Sequence, residues 1–398
     1  MVKTGDPLAR ARLLLQMSRP ADAERELRGL LAEEPQHVGA HALLGLALVQ
    51  QDRTGEALEE SGEAVRLAPD DWMPHYLSGQ VHYMAGLIEE AARASAAGIA
   101  LQPEYAPLWE LLARVHMKRR NWVQMAECAR YGLRIEPEDA DLAALLAIAL
   151  TMLGEHEQAR AAAAQAVAND PESVRAHWAL GRAALAAGDP RTAAESFREV
   201  LRLNPGFESA RDCLVIALKE RNPVQRTLSR LRQRFVGGWR LLFLLPALPP
   251  VILVFVIIAL LHWAAWIAES WTTLRLARAK ATRLLFERAA ARVSMLCLGL
   301  AGAGAILVGL GVGLGWEELG LAGAATMALV TPVQEAAHTG SPAGRRVLYG
   351  WAVLLAVVAL GAMVTSAFPP ALLAVYAALG TIWIAAGVRK IFRPRQEV

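Results

Sequence analysis

Residues 38–71 read "VGAHALLGLALVQQDRTGEALEESGEAVRLAPDD". Small residues stand at Gly45, Ala57 and Ala64, a breaker at Gly55, and a proline at Pro69. Each of these places recurs along the first half of the chain with a period of 34 residues. Prolines stand at 35, 69, 103, 137, 171 and 205. The first small place reads Gly45, Gly79, Ala113, Ala147 and Gly181, and the second reads Ala23, Ala57, Ala91, Met125, Ala159 and Ala193. A third reads Ala64, Gly98, Gly132 and Ala166. Self-similarity at this period predicts a solenoid of helix pairs. The small residues let the first helix of each unit approach the second, and leucines 44, 112, 146 and 180 fill the layer between them. The proline ends the second helix, because its ring cannot continue it. Gly55, Gly86, Gly154 and Gly188 are the expected turn breakers within units.

These units resemble tetratricopeptide repeats. Six are placed, at 4–37, 38–71, 72–105, 106–139, 140–173 and 174–207, followed by a capping helix over 208–221. The resemblance implies protein binding in a concave groove lined by the first helix of each unit. Carried over by register, the groove-facing places are Met73, Tyr76, Gln80, Tyr83 and Met84 in the third unit. The fourth offers Glu110, Arg114, Met117 and Lys118, and the sixth offers Arg175, Trp178 and Arg182. The family's clamp for C-terminal carboxylates needs Lys and Asn at places that here read Ala42, Leu46, Tyr76 and Gln80, so that clamp is not expected. A groove of aromatic, Met and Arg side chains suits an amphipathic helix or an acidic-apolar segment.

The 398 residues are enough for two domains, and charge divides them. Residues 1–207 hold 21 Lys and Arg against 29 Asp and Glu, while residues 208–398 hold 20 against 9. The basic residues of the second half flank apolar runs, as in a membrane domain, rather than clustering as a nucleic-acid surface would. The expected class is therefore all-α: a tetratricopeptide-repeat solenoid (1–221), a basic juxtamembrane linker (222–240) and a multi-span α-helical membrane domain (241–398). Within that domain the apolar runs are 241–268, 293–315, 319–333, 347–368 and 370–388, with an amphipathic helix expected over 269–292. Glycines at 309, 311, 313 and 315 offer spacing for close helix packing.

Basic residues alternate across the connections: six in 269–292, none in Trp316–Leu319, Arg345 and Arg346 in 334–346, none in 366–370, and four in the tail. Positive charge stays on the cytosolic side, so this places the C-terminus in the cytosol. The run 241–268 has basic flanks at both ends, which favours a hairpin turning at Pro249-Pro250, while its length also fits one crossing. The hairpin keeps the repeats in the cytosol. The first 30 residues have no apolar core of signal-peptide type, and the composition suggests a bacterial inner membrane.

Catalytic signatures are not expected. In "VQEAAHTG" (333–340), Glu335 and His338 have part of a His-Glu-x-x-His zinc spacing, but Gln334 takes the first histidine's place in what reads as a cytosolic loop. His262 is the main ionisable residue within the apolar runs, which weighs against transport. Cys128, Cys213 and Cys297 have neither ligand nor disulfide-framework spacing. No cofactor or metal is predicted. The expected function is a membrane-anchored adaptor, not an enzyme, with a protein or peptide and the lipid bilayer as partners and no nucleic acid. The alternatives are a membrane enzyme or transporter with a regulatory repeat domain, and a periplasmic repeat protein in envelope assembly.

Overall fold

The computed structural model describes residues 6–223, 227, 249–278, 288–364, 375, 377, 378 and 380–391. The chain divides into two units, Met1–Leu214 and Val215–Val398.

The first unit is built from helix pairs: α1 (Pro7–Gln16) with α2 (Pro20–Glu33), α3 (Val38–Val49) with α4 (Thr54–Leu67), α5 (Trp72–Met84) with α6 (Ile88–Leu101), α7 (Ala106–Lys118) with α8 (Trp122–Ile135), α9 (Ala140–Leu153) with α10 (His156–Asn169), and α11 (Val174–Ala186) with α12 (Pro190–Leu203). A further helix, α13 (Glu208–Glu220), begins in this unit. Each odd-numbered helix packs on its even partner and on the next odd-numbered helix, so the odd helices form one continuous layer.

The core between the layers is made largely of alanine. Ala23, Ala57, Ala91, Met125, Ala159 and Ala193 are fully buried, as are Ala113 and Ala147. Larger side chains do not fit at these distances. A methyl group placed on Gly45 would lie 3.0 Å from the Ala57 carbonyl oxygen, and one on Gly181 would lie 2.6 Å from the Phe197 ring.

Turns within the pairs follow a second periodic feature. Ser18, Asp52, Gly86, Arg120, Gly154 and Gly188 are spaced 34 apart, and all have positive φ. This left-handed residue ends each odd helix. Gly55 is not the breaker of the second pair: it lies inside α4, and Asp52 (φ 61°) makes the turn.

A third periodic feature joins four of the odd helices to the preceding proline. A ring N–H of His41, His75 and His177, and the indole of Trp109, donates to the carbonyl of Pro35, Pro69, Pro171 and Pro103 respectively, at 2.8–2.9 Å. These carbonyls follow helix ends, where acceptors lack intrahelical partners.

The second unit contains α14 (Pro249–Arg278), α15 (Arg288–Leu314), α16 (Glu317–Ala328), α17 (Val330–Ala337), α18 (Pro342–Val364) and α19 (Thr381–Ile391). Among the described residues, Ala289–Leu314 and Pro342–Gly361 are long and apolar enough to cross a membrane. Several expected boundaries move. The first arm of the hairpin, 235–248, lies outside the described residues. Residues 269–278 do not start a separate amphipathic helix but complete α14. The run 319–333 is not one span: it is divided between α16 and α17 at Leu329. Pro332 explains the division, because it has no N–H for the Ala328 carbonyl and its ring crowds that carbonyl. The Trp263 indole donates to the neighbouring Met327 carbonyl at 2.8 Å. The α15–α16 turn is made at Gly315 (φ 69°), and Gly311 faces Gly320 with no room for a side chain. Gly309 and Gly313, by contrast, face open space.

Arg120 holds a conformation that costs a non-glycine residue roughly 1–2 kcal/mol, partly offset in glycine by its unfolded-state entropy. Arg120→Gly should stabilise the repeat unit by about 0.5–1 kcal/mol. Denaturant midpoints followed by circular dichroism check this, and a lower midpoint would show that the turn is not strained.

Candidate groove and a buried polar cluster

Two cavities open on the layer of odd helices. The first, about 470 Å³, is walled by α1, α3 and α5 through Leu15, Leu43, Leu46, Met73 and Tyr76, with Tyr105 at its edge. The second, about 510 Å³, is walled by α5, α7, α9 and α11 through Tyr83, Met117, Leu145, Ile148 and Trp178, with Phe207 at its edge. These volumes are in the range that accommodates several side chains of a ligand.

Aromatic rings form the walls. Tyr105 packs against Trp72 (4.3 Å between centroids) and meets Tyr76 edge-on at 5.5 Å. Trp178 packs against Phe197 and Phe207 at 5.5 and 5.0 Å. Tyr105 and Phe207 stand in the register of His37, Asp71, Asp139 and Ser173, whose side chains cap the odd helices by accepting hydrogen bonds from backbone N–H groups. Tyr105 makes no such bond. The fourth unit thus gives up a cap worth about 1 kcal/mol and places a ring at the cavity edge instead.

Charges are built into the same face. The Glu110 carboxylate accepts from Arg114 (3.4 Å) and Arg175 (3.3 Å), and Arg175 also pairs with Asp141 at 3.1 Å. Burial raises the Glu110 pKa, and the two arginines oppose that shift. Burial likewise pushes the Tyr76 hydroxyl up to about 12. The Arg114 guanidinium lies 5.1 Å from the centre of the Tyr83 ring and that of Arg182 5.7 Å from Trp178. Among the described residues, Arg12, Lys118 and Arg182 have no carboxylate partner.

Residues 8–72 and 144–206 match the tetratricopeptide repeat family. These two stretches are tetratricopeptide repeats, at the start and end of the helix-pair solenoid. Among solved structures, the chain is similar to the Cut9-Hcn1 hetero-tetramer of the APC/C (20% identity, TM-score 0.48), over 53% of this chain and 42% of that one. It is also similar to pilF of Pseudomonas aeruginosa (22% identity, TM-score 0.45; 52% and 94% covered). A third is the tetratricopeptide-repeat protein TTC0263 of Thermus thermophilus (21% identity, TM-score 0.39; 46% and 99% covered). Among curated proteins none matches this sequence.

The structure brings most of the expected groove residues to this face of the tetratricopeptide array. Met73 and Tyr76 line the first cavity, and Tyr83, Arg114, Met117, Arg175 and Trp178 line the second. Gln80 hydrogen-bonds the Tyr76 side chain, Glu110 anchors the two arginines, and Lys118 and Arg182 lie against Tyr83 and Trp178. Met84 is exposed and lines neither cavity. Sequence reasoning missed the contributions of the first, second and fifth repeats. Arg12, Leu46 and Ile148 share the register of Gln80, and Asp141 that of Met73, so extending the 34-residue step finds them.

The second unit holds a polar cluster that the sequence reading placed elsewhere. Glu335 does not lie in an open loop. It is on α17, 1% exposed, with a carboxylate oxygen 2.8 Å from His262 Nε2 of α14. Beside it the Gln334 amide donates to the Ser270 hydroxyl, which donates to the Trp266 carbonyl, and Cys297 hydrogen-bonds both Gln334 and Ser270. His338 faces the Gln334 carbonyl through Nδ1 and lies 3.3 Å from Glu269 through Nε2. Gln334 is committed to Ser270, and among the described residues no three His, Cys, Asp or Glu side chains are grouped to hold a metal ion.

Removing one member of a buried hydrogen-bonded pair leaves the other unsatisfied. Glu335→Leu should destabilise the second unit by about 1–3 kcal/mol, and H262L/E335L by less than the sum of the single changes. Detergent or denaturant unfolding of the four proteins of this cycle checks the coupling, and additive losses would show that the pair is not a unit.

Proposed function

We propose that the chain is a membrane-anchored scaffold whose tetratricopeptide groove holds an acidic, apolar segment of a partner protein. The observation that carries the reading is the pair of aromatic-walled cavities flanking a self-neutralised charge cluster, with uncompensated cations around them. Apolar anchors of the ligand fill the cavities. Its acidic residues meet Arg12, Lys118 and Arg182, which have no carboxylate of their own among the described residues. Desolvated aromatic and Arg side chains are the usual centres of binding energy at such surfaces.

Anchoring is supported by the surface of the second unit. Two helices of spanning length, α15 and α18, turn large apolar residues outward, with Val312 79% and Val353 64% exposed. A water-soluble unit would bury such helices. The distribution of Lys and Arg supports a cytosolic repeat domain. The composition supports a bacterial inner membrane.

A photo-crosslinking residue at position 178 should capture a partner, while one at the exposed Glu59 of α4 should not. Trp178→Ala and Tyr76→Ala should each reduce retention of that partner about tenfold or more, and Lys118→Ala much less. Equal capture from positions 59 and 178 would sink the groove assignment. Orientation has its own test. Native Cys128 is a poor reporter, because it is buried and burial pushes its thiol up to about 11. Glu59→Cys in a C128A/C213A/C297A background should react with an impermeant thiol reagent only after lysis. Labelling in intact cells would place the repeats outside the cytosol.

A further inference from the structure

The second unit contains a cavity of about 180 Å³ lined by residues of α14, α15, α17 and α18 and by Lys219. At roughly 30 Å³ per molecule this is the space of about six waters, too small for a nucleotide or a drug-sized ligand. Its walls combine small residues (Ala289, Ala290, Ala337) with hydrogen-bonding groups from four helices, including Thr273, Ser294 and Tyr349. Lys219, Glu269 and Arg345 supply charge. The Glu269 carboxylate is already bridged by Lys219 at 3.0 Å and His338 at 3.3 Å, so its negative charge is compensated. Arg345 has no ion-pair partner among the described residues. It stands in the first turn of α18, which faces the cavity, so the positive end of that helix dipole adds to it. The pocket therefore favours a compact anion.

On the membrane reading given above, on which this inference rests, the cavity lies at the basic ends of both candidate spans, in the headgroup layer. The same two helices expose the large apolar side chains of Met295, Leu296, Val347 and Leu354. A soluble anion would use only the cavity. A ligand with a charged head and apolar chains uses both surfaces. We propose that this cavity seats the phosphate of an anionic phospholipid, with Arg345 as its cation, Tyr349 as a hydroxyl donor one turn further along α18, and the acyl chains lying on α15 and α18. Basic pockets between spanning helices on the cytosolic side are suited to such headgroups.

The test uses the full chain purified in mild detergent. Retention of added phosphatidylglycerol and phosphatidylcholine is compared by native mass spectrometry for the unchanged protein, Arg345→Gln, Tyr349→Phe and Arg346→Gln. Arg346 carries the same charge on the same turn but does not line the cavity. Phosphatidylglycerol should be retained in preference to phosphatidylcholine. Arg345→Gln should lower that retention about fivefold or more, Tyr349→Phe about twofold, and Arg346→Gln should leave it within twofold. Tyr349→Phe keeps the test decisive if Arg345→Gln fails to fold. Equal retention of the two lipids, or equal losses in the Arg345 and Arg346 variants, overturns the proposal. Inorganic phosphate is the second arm. If it binds with Arg345 dependence while phosphatidylglycerol shows none, the lipid assignment falls and the anion is soluble. Carbonate extraction of membranes keeps the two readings apart. A chain washed off by carbonate defeats anchoring, whereas a retained chain without Arg345-dependent lipid defeats only the headgroup site.

Discussion

The repeat array depends on how closely two helices can approach. Where Gly45 meets the Ala57 carbonyl, or Gly181 meets the Phe197 ring, the space for a Cβ has been used up. Interiors are packed too densely to relax around an added methyl. Alanine and glycine at these places therefore set the spacing within each pair, and the 34-residue period repeats it. The left-handed residue at the turn fixes where the odd helices stop, and in four units a ring N–H bound to the proline carbonyl fixes how the next one begins. These local features are consistent with one another, and their agreement specifies the array.

A scaffold this regular makes its departures informative. Most odd helices are capped by a short polar side chain, and the fourth is not. Tyr105 occupies that place and packs against Trp72 and Tyr76 at the cavity edge. Glu110 is a second departure: a carboxylate buried enough to raise its pKa, retained between Arg114 and Arg175. Each gives up local stability on the face where the cavities open. Such exceptions belong at functional surfaces, because a purely structural repeat gains nothing from them.

Much of this was legible in the sequence. Period, small-residue register and groove face are local, so a fixed step of 34 finds them, and it would have found Arg12, Leu46, Asp141 and Ile148 had it been carried to every unit. The left-handed turns were harder to read, because Ser18, Asp52 and Arg120 carry no glycine signal, and Gly55 drew attention three residues too far along. The second unit was least legible. His262 and Glu335 are 73 residues apart, with no repeat to relate them. Glu335 reads as a loop residue because Gly340 and Pro342 follow it closely in a weakly apolar stretch. Only tertiary packing turns it inward.

The second unit inverts the polarity of the first. Its outer faces carry Val312, Ile306, Val353 and Leu360, while His262, Gln334, Glu335, Ser270 and Thr339 are buried. In water both halves of that arrangement would be unfavourable: apolar surface would stay hydrated, and a buried hydrogen-bonded pair of this kind seldom stabilises more than well-packed hydrocarbon. Surrounded by lipid, the comparison changes. Apolar side chains gain nothing by turning inward, because hydrocarbon lies on both sides, so helix association rests on close packing and interhelical hydrogen bonds. The Gly311–Gly320 approach supplies the first, and the His262–Glu335 and Gln334–Ser270 bonds supply the second. On the membrane reading proposed above, the buried polar cluster and the exposed apolar residues are two consequences of one solvent.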